Sequence, residues 1–177
     1  MNENEGRPDA EMADRVLRHW HEAVPNDRMA HLVKDATRYF LRALQVRLAR
    51  HGVQLGHWTF LRILWLRDGL TKRELSLEAG LMEPTTFVAL RAMESLGYVT
   101  LERKAPNRKN VYVFLTPLGR QLKDVLVPLA EEVNAIALRT VPATDVAATR
   151  RCLLAVIENL SRDEMHLVDE HGGEVDL

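Results

Sequence analysis

The chain has one cysteine in 177 residues, Cys152. A single thiol excludes an internal disulfide framework, and no Cys/His set has the spacing of a zinc site. No apolar run approaches the ~20 residues of a membrane span. Aromatic residues are few, 6% of the chain, which is ordinary for a helical protein. There is no glycine-rich phosphate loop, metal-ligand set or nucleophile elbow, so an enzyme is a poor fit and no cofactor is implied. The opening MNENEGRPDAEMADR is polar and acidic, unlike a secretory signal. The expectation is a soluble cytoplasmic protein.

Charge of one sign also looks absent, since the net is −1. The average hides a pattern. Glu3, Glu5, Asp9, Glu11 and Asp14 crowd the first 14 residues, and six acids lie in residues 161–177. Residues 15–160 keep 22 Lys and Arg against 14 Asp and Glu, a net of +8. A basic body between acidic ends suits contact with phosphates.

At this length, with 46% hydrophobic residues, the chain makes one domain, or one domain with helical additions. Residues 1–14 read as a disordered acidic terminus. A short helix over 16–23 carries His19, Trp20 and His21, and Pro25 ends it. The 3.6-residue apolar period predicts a long helix from about Arg28 to Arg50, closed by His51–Gly52. A helix from about His57 to Arg67 is apolar almost all round and so is expected to be buried, with Arg62 the exception in its middle. Thr71 and Glu74 form a capping box that opens a helix ending at Gly80. Pro84 suits the first turn of the next helix, which Gly97 terminates. Two strands, about 98–104 and 111–115, flank the polar tip Ala105 to Asn110. A long helix then runs from Pro117 to about Arg139. Thr144 caps a last one, ending near Leu160, and residues 161–177 form an acidic tail.

The centre therefore reads as helix, turn, helix and basic hairpin: a winged helix-turn-helix over residues 53–116, mainly α with a small β-wing. Residues 15–52 and 117–160 supply helices with broad apolar faces and little core of their own, which a twofold homodimer would bury.

In the second helix of the unit, spacing turns Thr86, Ala89, Leu90 and Met93 inward and Thr85, Phe87, Val88 and Arg91 outward. Thymine methyl groups in a major groove are one cover for an outward Phe87 and Val88. Lys72 and Arg73 open the preceding helix, and Arg103, Lys104, Arg108 and Lys109 concentrate charge on the hairpin. The candidate contacts to double-stranded DNA are Lys72, Arg73, Thr85, Thr86, Phe87, Val88, Arg91, Arg103, Lys104, Arg108 and Lys109. Thr86 falls in both the inward and the contact set.

The segments LGHWTFLRILWLRDGLTKRELS, EPTTFVALRAMESLGYV and NRKNVYVFLTPLGRQL resemble the MarR family of bacterial transcription regulators, collinearly from about Leu32 to Leu160. Asn107-Arg108-Lys109 stands where that family usually has Asp-Arg-Arg, which removes a common salt-bridge partner within the wing. Val88 stands where polar or basic residues are common. The resemblance implies a homodimer on a pseudo-palindromic operator, repressing a nearby gene or its own. It also implies release by a small phenolic or aromatic acid bound between the dimer helices and the winged unit, with a catabolic or efflux gene as the target. The candidate effector residues are His19, Trp20, Arg38, His57, Trp58, Phe60, Leu61, Arg62 and Trp65. An Arg or His among aromatics offers a charge-assisted hydrogen bond and a slot for a ring. Arg62, a cation amid apolar neighbours, is expected to need a partner.

Two other readings fit less well. A redox-responsive regulator would use Cys152, whose helical spacing instead allows it to pack as a small apolar residue. A winged-helix protein-interaction module would not need a basic wing.

Overall fold

The computed structural model describes residues 15–20, 29–103 and 110–172. The disordered terminus expected over 1–14, His21, and the wing-tip residues Lys104, Arg108 and Lys109 lie outside the described residues. Residues 15–20 are helical. Six further helices and three strands follow: α1 (Met29–Ala49), α2 (Leu55–Leu66), β1 (Leu70–Thr71), α3 (Lys72–Ala79), α4 (Glu83–Ser95), β2 (Val99–Glu102), β3 (Tyr112–Leu115), α5 (Pro117–Ala137) and α6 (Ala143–Gly172). The chain divides into two compact units, Met1–Val133 and Asn134–Leu177.

The first unit is built on α2. Mean apolarity is so high along LGHWTFLRILWL that Phe60, Leu61 and Leu64 are essentially inaccessible to water, with His57, Trp58 and Ile63 close behind. Leu44 and Leu48 of α1, Leu75 of α3, Leu90 and Met93 of α4, Val99 and Val113 of the sheet, and Leu126 of α5 close the same core. Each fully buried leucine contributes roughly 1.5–3 kcal/mol relative to an exposed one.

Local signals set the boundaries. The Thr71 hydroxyl accepts from the Glu74 amide at 3.2 Å while Glu74 Oε2 accepts from the Thr71 amide at 2.7 Å. The Thr71 hydroxyl also donates to Glu74 Oε2 at 2.7 Å; that bond first, and the one from the Thr71 amide second, hold the Glu74 carboxyl below its ordinary range, and such a cap stabilises by about 1 kcal/mol. Gly80 takes the left-handed conformation (φ 63°) that ends α3 and sets the turn into α4.

Two features differ from the sequence expectation. The sheet has three strands, in the order β1-β3-β2. Leu70 pairs with Val113 and Thr71 with Tyr112, a two-residue strand too short to show an alternating pattern. The helix α6 begins at Ala143 and does not stop near Leu160 but continues to Gly172. The segment after Leu160 has no proline or glycine before Gly172, and Glu158 pairs with Arg162 one turn on, at 2.5 Å. Pro128 lies inside α5 without ending it. The ring is exposed, and proline, lacking an amide N–H, leaves the carbonyl four residues earlier without its helical donor.

The start of α5 meets the turn between α4 and β2 at unusually close range. A Cβ on Gly119 would sit 2.1 Å from the Tyr98 carbonyl oxygen. The Thr116 hydroxyl lies within hydrogen-bonding distance of the Gly97 carbonyl (2.6 Å) and the Tyr98 carbonyl (3.2 Å), and accepts from the Gly119 amide at 3.0 Å. The Trp65 indole of α2 donates to the Gly119 carbonyl at 2.8 Å. Gly119→Ala is expected to cost roughly 1–3 kcal/mol by overpacking, read as a lowered urea midpoint with the denaturant slope unchanged.

His57 is buried at the first turn of α2, edge-on to Tyr98 at 6.2 Å between ring centroids. Its Nδ1 has no hydrogen-bond partner among the described residues, and burial pushes its pKa below the ordinary histidine value. The unfolded chain therefore binds this proton more readily than the folded one. The resulting stability is complete above about pH 6.5 and falls as the pH drops through that value toward the folded pKa. Urea midpoints at pH 7.5 and 5.5 should differ more for the wild type than for His57→Phe. Equal differences in the two proteins would show that the imidazole does not titrate this way.

Candidate nucleic-acid interface

The geometry of α3 and α4 is set by three inward side chains. Thr86, Leu90 and Met93 are all buried, at a spacing that fixes the rotation of α4 about its axis. The opposite face then carries Thr85, Phe87, Val88 and Arg91, all exposed. Thr86 is the exception to the predicted contact set. It is fully buried and its Oγ1 has no partner among the described residues, so it packs in the core and does not reach a ligand on this face.

Phe87 faces outward and is not bare. Lys72 Nζ lies 5.4 Å from the ring centroid and Arg91 Cζ lies 5.2 Å from it, distances at which a cation is attracted to an aromatic face. Both cations have carboxylate partners: Lys72 pairs with Glu83 at 3.4 Å and Arg91 with Glu94 at 2.9 Å. Glu94 also accepts from the Leu101 amide at 3.3 Å, linking α4 to β2. Arg73 is exposed beside Lys72, and Arg103 is exposed just after β2.

Sequence reasoning missed the ties that hold the wing. Asp68 serves the chain as more than a helix stop. Its Oδ1 accepts from the Leu115 amide at 2.9 Å and the Gly69 amide at 3.0 Å, and its Oδ2 pairs with Arg120 at 2.6 Å. Arg120 donates in turn to the Leu115 carbonyl at 2.8 Å. One carboxylate thus joins the entry to β1, the end of β3 and the start of α5. Its partners lie some fifty residues away in sequence, and no local pattern announces them.

The predicted effector residues do not converge on one place. Trp20 Nε1 donates to Asp35 at 3.1 Å, and Asp35 pairs with Arg38 at 3.1 Å. His19 stands edge-on to Trp20 at 5.1 Å, so the N-terminal helical segment does fold onto α1. Trp58 and Trp65 meet edge-to-face at 5.6 Å. Phe60 and Leu61 are core. Arg62 points to solvent, where hydration meets its charge and removes the need for a partner. A cavity of about 540 Å³ at the turn from α1 to α2 is lined by residues from Gly52 to Gly56 with Gln45 and Ala49, none of them in the predicted set. Cys152 is exposed on α6, contrary to the expectation that it packs. Among the described residues no group of His, Cys, Asp and Glu can hold a metal ion.

No family model matches the chain. Over 141 residues it is 29% identical to the HTH-type transcriptional regulator TtmR of Methylorubrum extorquens, a match covering 80% of this chain and 69% of the relative. A shorter match, 25% over 89 residues, is to an uncharacterized HTH-type transcriptional regulator of Staphylococcus aureus; it spans 50% of this chain and 61% of that one. Among solved structures, a MarR transcriptional regulator from Methanosarcina mazei superposes with a TM-score of 0.71 at 23% identity, over 76% of this chain and 96% of that one. A MarR-family regulator from Listeria monocytogenes, complexed with a 26-mer DNA, gives 0.71 at 19% identity, over 81% and 95%. CouR from Rhodococcus jostii, bound to p-coumaroyl-CoA, gives 0.65 at 19%, over 76% and 94%. The chain has the winged helix-turn-helix fold of the MarR regulators and is similar in sequence to HTH-type transcriptional regulators.

Proposed function

We propose that two copies of this chain bind a pseudo-palindromic duplex operator, repress the gene beside it, and release it when a small aromatic acid binds. The observation that carries the DNA half is the outward face of α4. It is held in position by a buried inward face, with Lys72 and Arg91 against the Phe87 ring and Arg73 and Arg103 exposed. The hairpin beyond Arg103 adds Lys104, Arg108 and Lys109, whose charge suits the negative potential of a minor groove. Residues 53–116 would form the reading domain and the remaining helices the dimer.

Homodimerisation is supported by helix faces that find no cover. Leu32, Val33, Phe40 and Val46 of α1 are exposed. In α6, none of the side chains described is buried, and Leu154, Ile157, Leu160 and Met165 are exposed. Apolar surface on this scale marks an interface. Among the described residues no helix is long and apolar enough to cross a membrane; a cytoplasmic location is part of the DNA-binding reading.

The effector half is supported by Arg38, a cation that shares Asp35 with the Trp20 indole and lies 5.4 Å from the Tyr39 ring centroid. It holds Asp35 through an exposed ion pair, of a kind worth little in water, so an incoming carboxylate can replace it. CouR, a protein of the same fold, is bound to p-coumaroyl-CoA, the thioester derivative of an aromatic acid.

Binding to a duplex from the chain's own promoter should weaken by 10³–10⁵-fold, roughly, between 50 and 200 mM salt if six to ten phosphates are contacted. Arg103→Ala should lower the salt slope by about 1 without changing the preferred sequence. Affinity insensitive to salt would instead favour a protein-interaction module. An aromatic acid with a coupling of ~2 kcal/mol would weaken operator binding about 30-fold. Unchanged mobility shifts across a panel of phenolic acids at saturating concentration would remove the effector half and leave the DNA half standing.

A further inference from the structure

The reading face of α4 is apolar where it is most open. Val88 is 70% exposed and Phe87 39% exposed. Burial of Thr86, Leu90 and Met93 means that α4 cannot rotate to bring Val88 inward without opening the core. The cations beside this patch are already engaged. Lys72 holds Glu83 and Arg91 holds Glu94, and both lie against the Phe87 ring. The second of these carboxylates is itself fixed to the Leu101 amide of β2. Arg91 commits one of its donors, Nη1, to Glu94. The isopropyl group of Val88 has no such competition, and it gains free energy only against another apolar group.

Within a major groove that apolar group is the C5 methyl of thymine; the other base edges offer donors and acceptors. The positive rim fits the phosphates that border the groove. We infer that Phe87 and Val88 form a methyl-reading patch, through which α4 selects thymine by its C5 methyl. Lys72 and Arg91 brace the Phe87 ring and face the backbone. This assignment rests on the DNA-binding reading of the same face, and it names what that face recognises.

The test separates the two. Duplexes are selected from a random-sequence pool with the full-length chain. The tightest is then resynthesised with deoxyuridine at each thymine of the recovered motif, a change that removes the methyl and leaves every hydrogen-bonding group in place. The wild type should bind the thymine duplex about fourfold more tightly for each methyl contacted, the factor equivalent to about 0.8 kcal/mol for one buried methylene-sized group. Val88→Ala, with an unchanged circular dichroism spectrum and melting temperature, should lose most of that preference. Equal wild-type affinity for the two duplexes, with salt-dependent binding intact, overturns the methyl-reading assignment alone. Recovery of no duplex that binds with salt dependence overturns the DNA-binding reading and this assignment with it. The comparison on the wild type needs no variant, so it decides the matter even if Val88→Ala folds poorly.

Discussion

The contact between Gly119 and the Tyr98 carbonyl holds the winged unit together. At that point α5 leaves the wing, α4 enters it, and α2 runs underneath. The Thr116 hydroxyl sits between the two turns, and the Trp65 indole satisfies the carbonyl of Gly119 from below. Only a residue without a side chain permits the approach. The end of α4 and both ends of the β2–β3 hairpin thereby share one rigid anchor. Asp68 and Arg120 fasten the other edge of the same sheet. With both edges fixed, the orientation of the hairpin relative to α4 is a property of the core.

Electrostatics on the outer face of α4 follows from the same frame. Its cations are counterbalanced by Glu83 and Glu94 in the free protein. These pairs are partly exposed and contribute little to stability. The pair between Arg47 of α1 and Glu132 of α5, two contacts at 3.1 Å, is better placed geometrically. It draws the Glu132 carboxyl below its ordinary range and the Arg47 guanidinium above.

Much of this was legible in the sequence because it is local. The capping box at Thr71–Glu74, the glycine after α3 and the apolar period of α4 each depend on residues within one or two turns. They gave the helix-turn-helix and the outward set Thr85, Phe87, Val88 and Arg91. What stayed hidden is tertiary. The strand β1 exists because β3 offers it a partner, not because two residues form a pattern. Asp68 and Arg120 lie in different elements, and neither is distinctive alone. Thr86 has the composition of a contact residue and the position of a core residue, and burial decided between them. Arg62 looked confined on a nearly all-apolar helix, yet the single angular gap in the packing around α2 lies at its position.

The division of α4 into two faces has a consequence for how such a protein diversifies. Thr86, Leu90 and Met93 carry the folding energy of the helix, while Thr85 and Val88 contribute almost nothing to the core. Substitutions on the outer face are therefore close to neutral for stability. The outer face can change one residue at a time, without first acquiring a compensating change in the core.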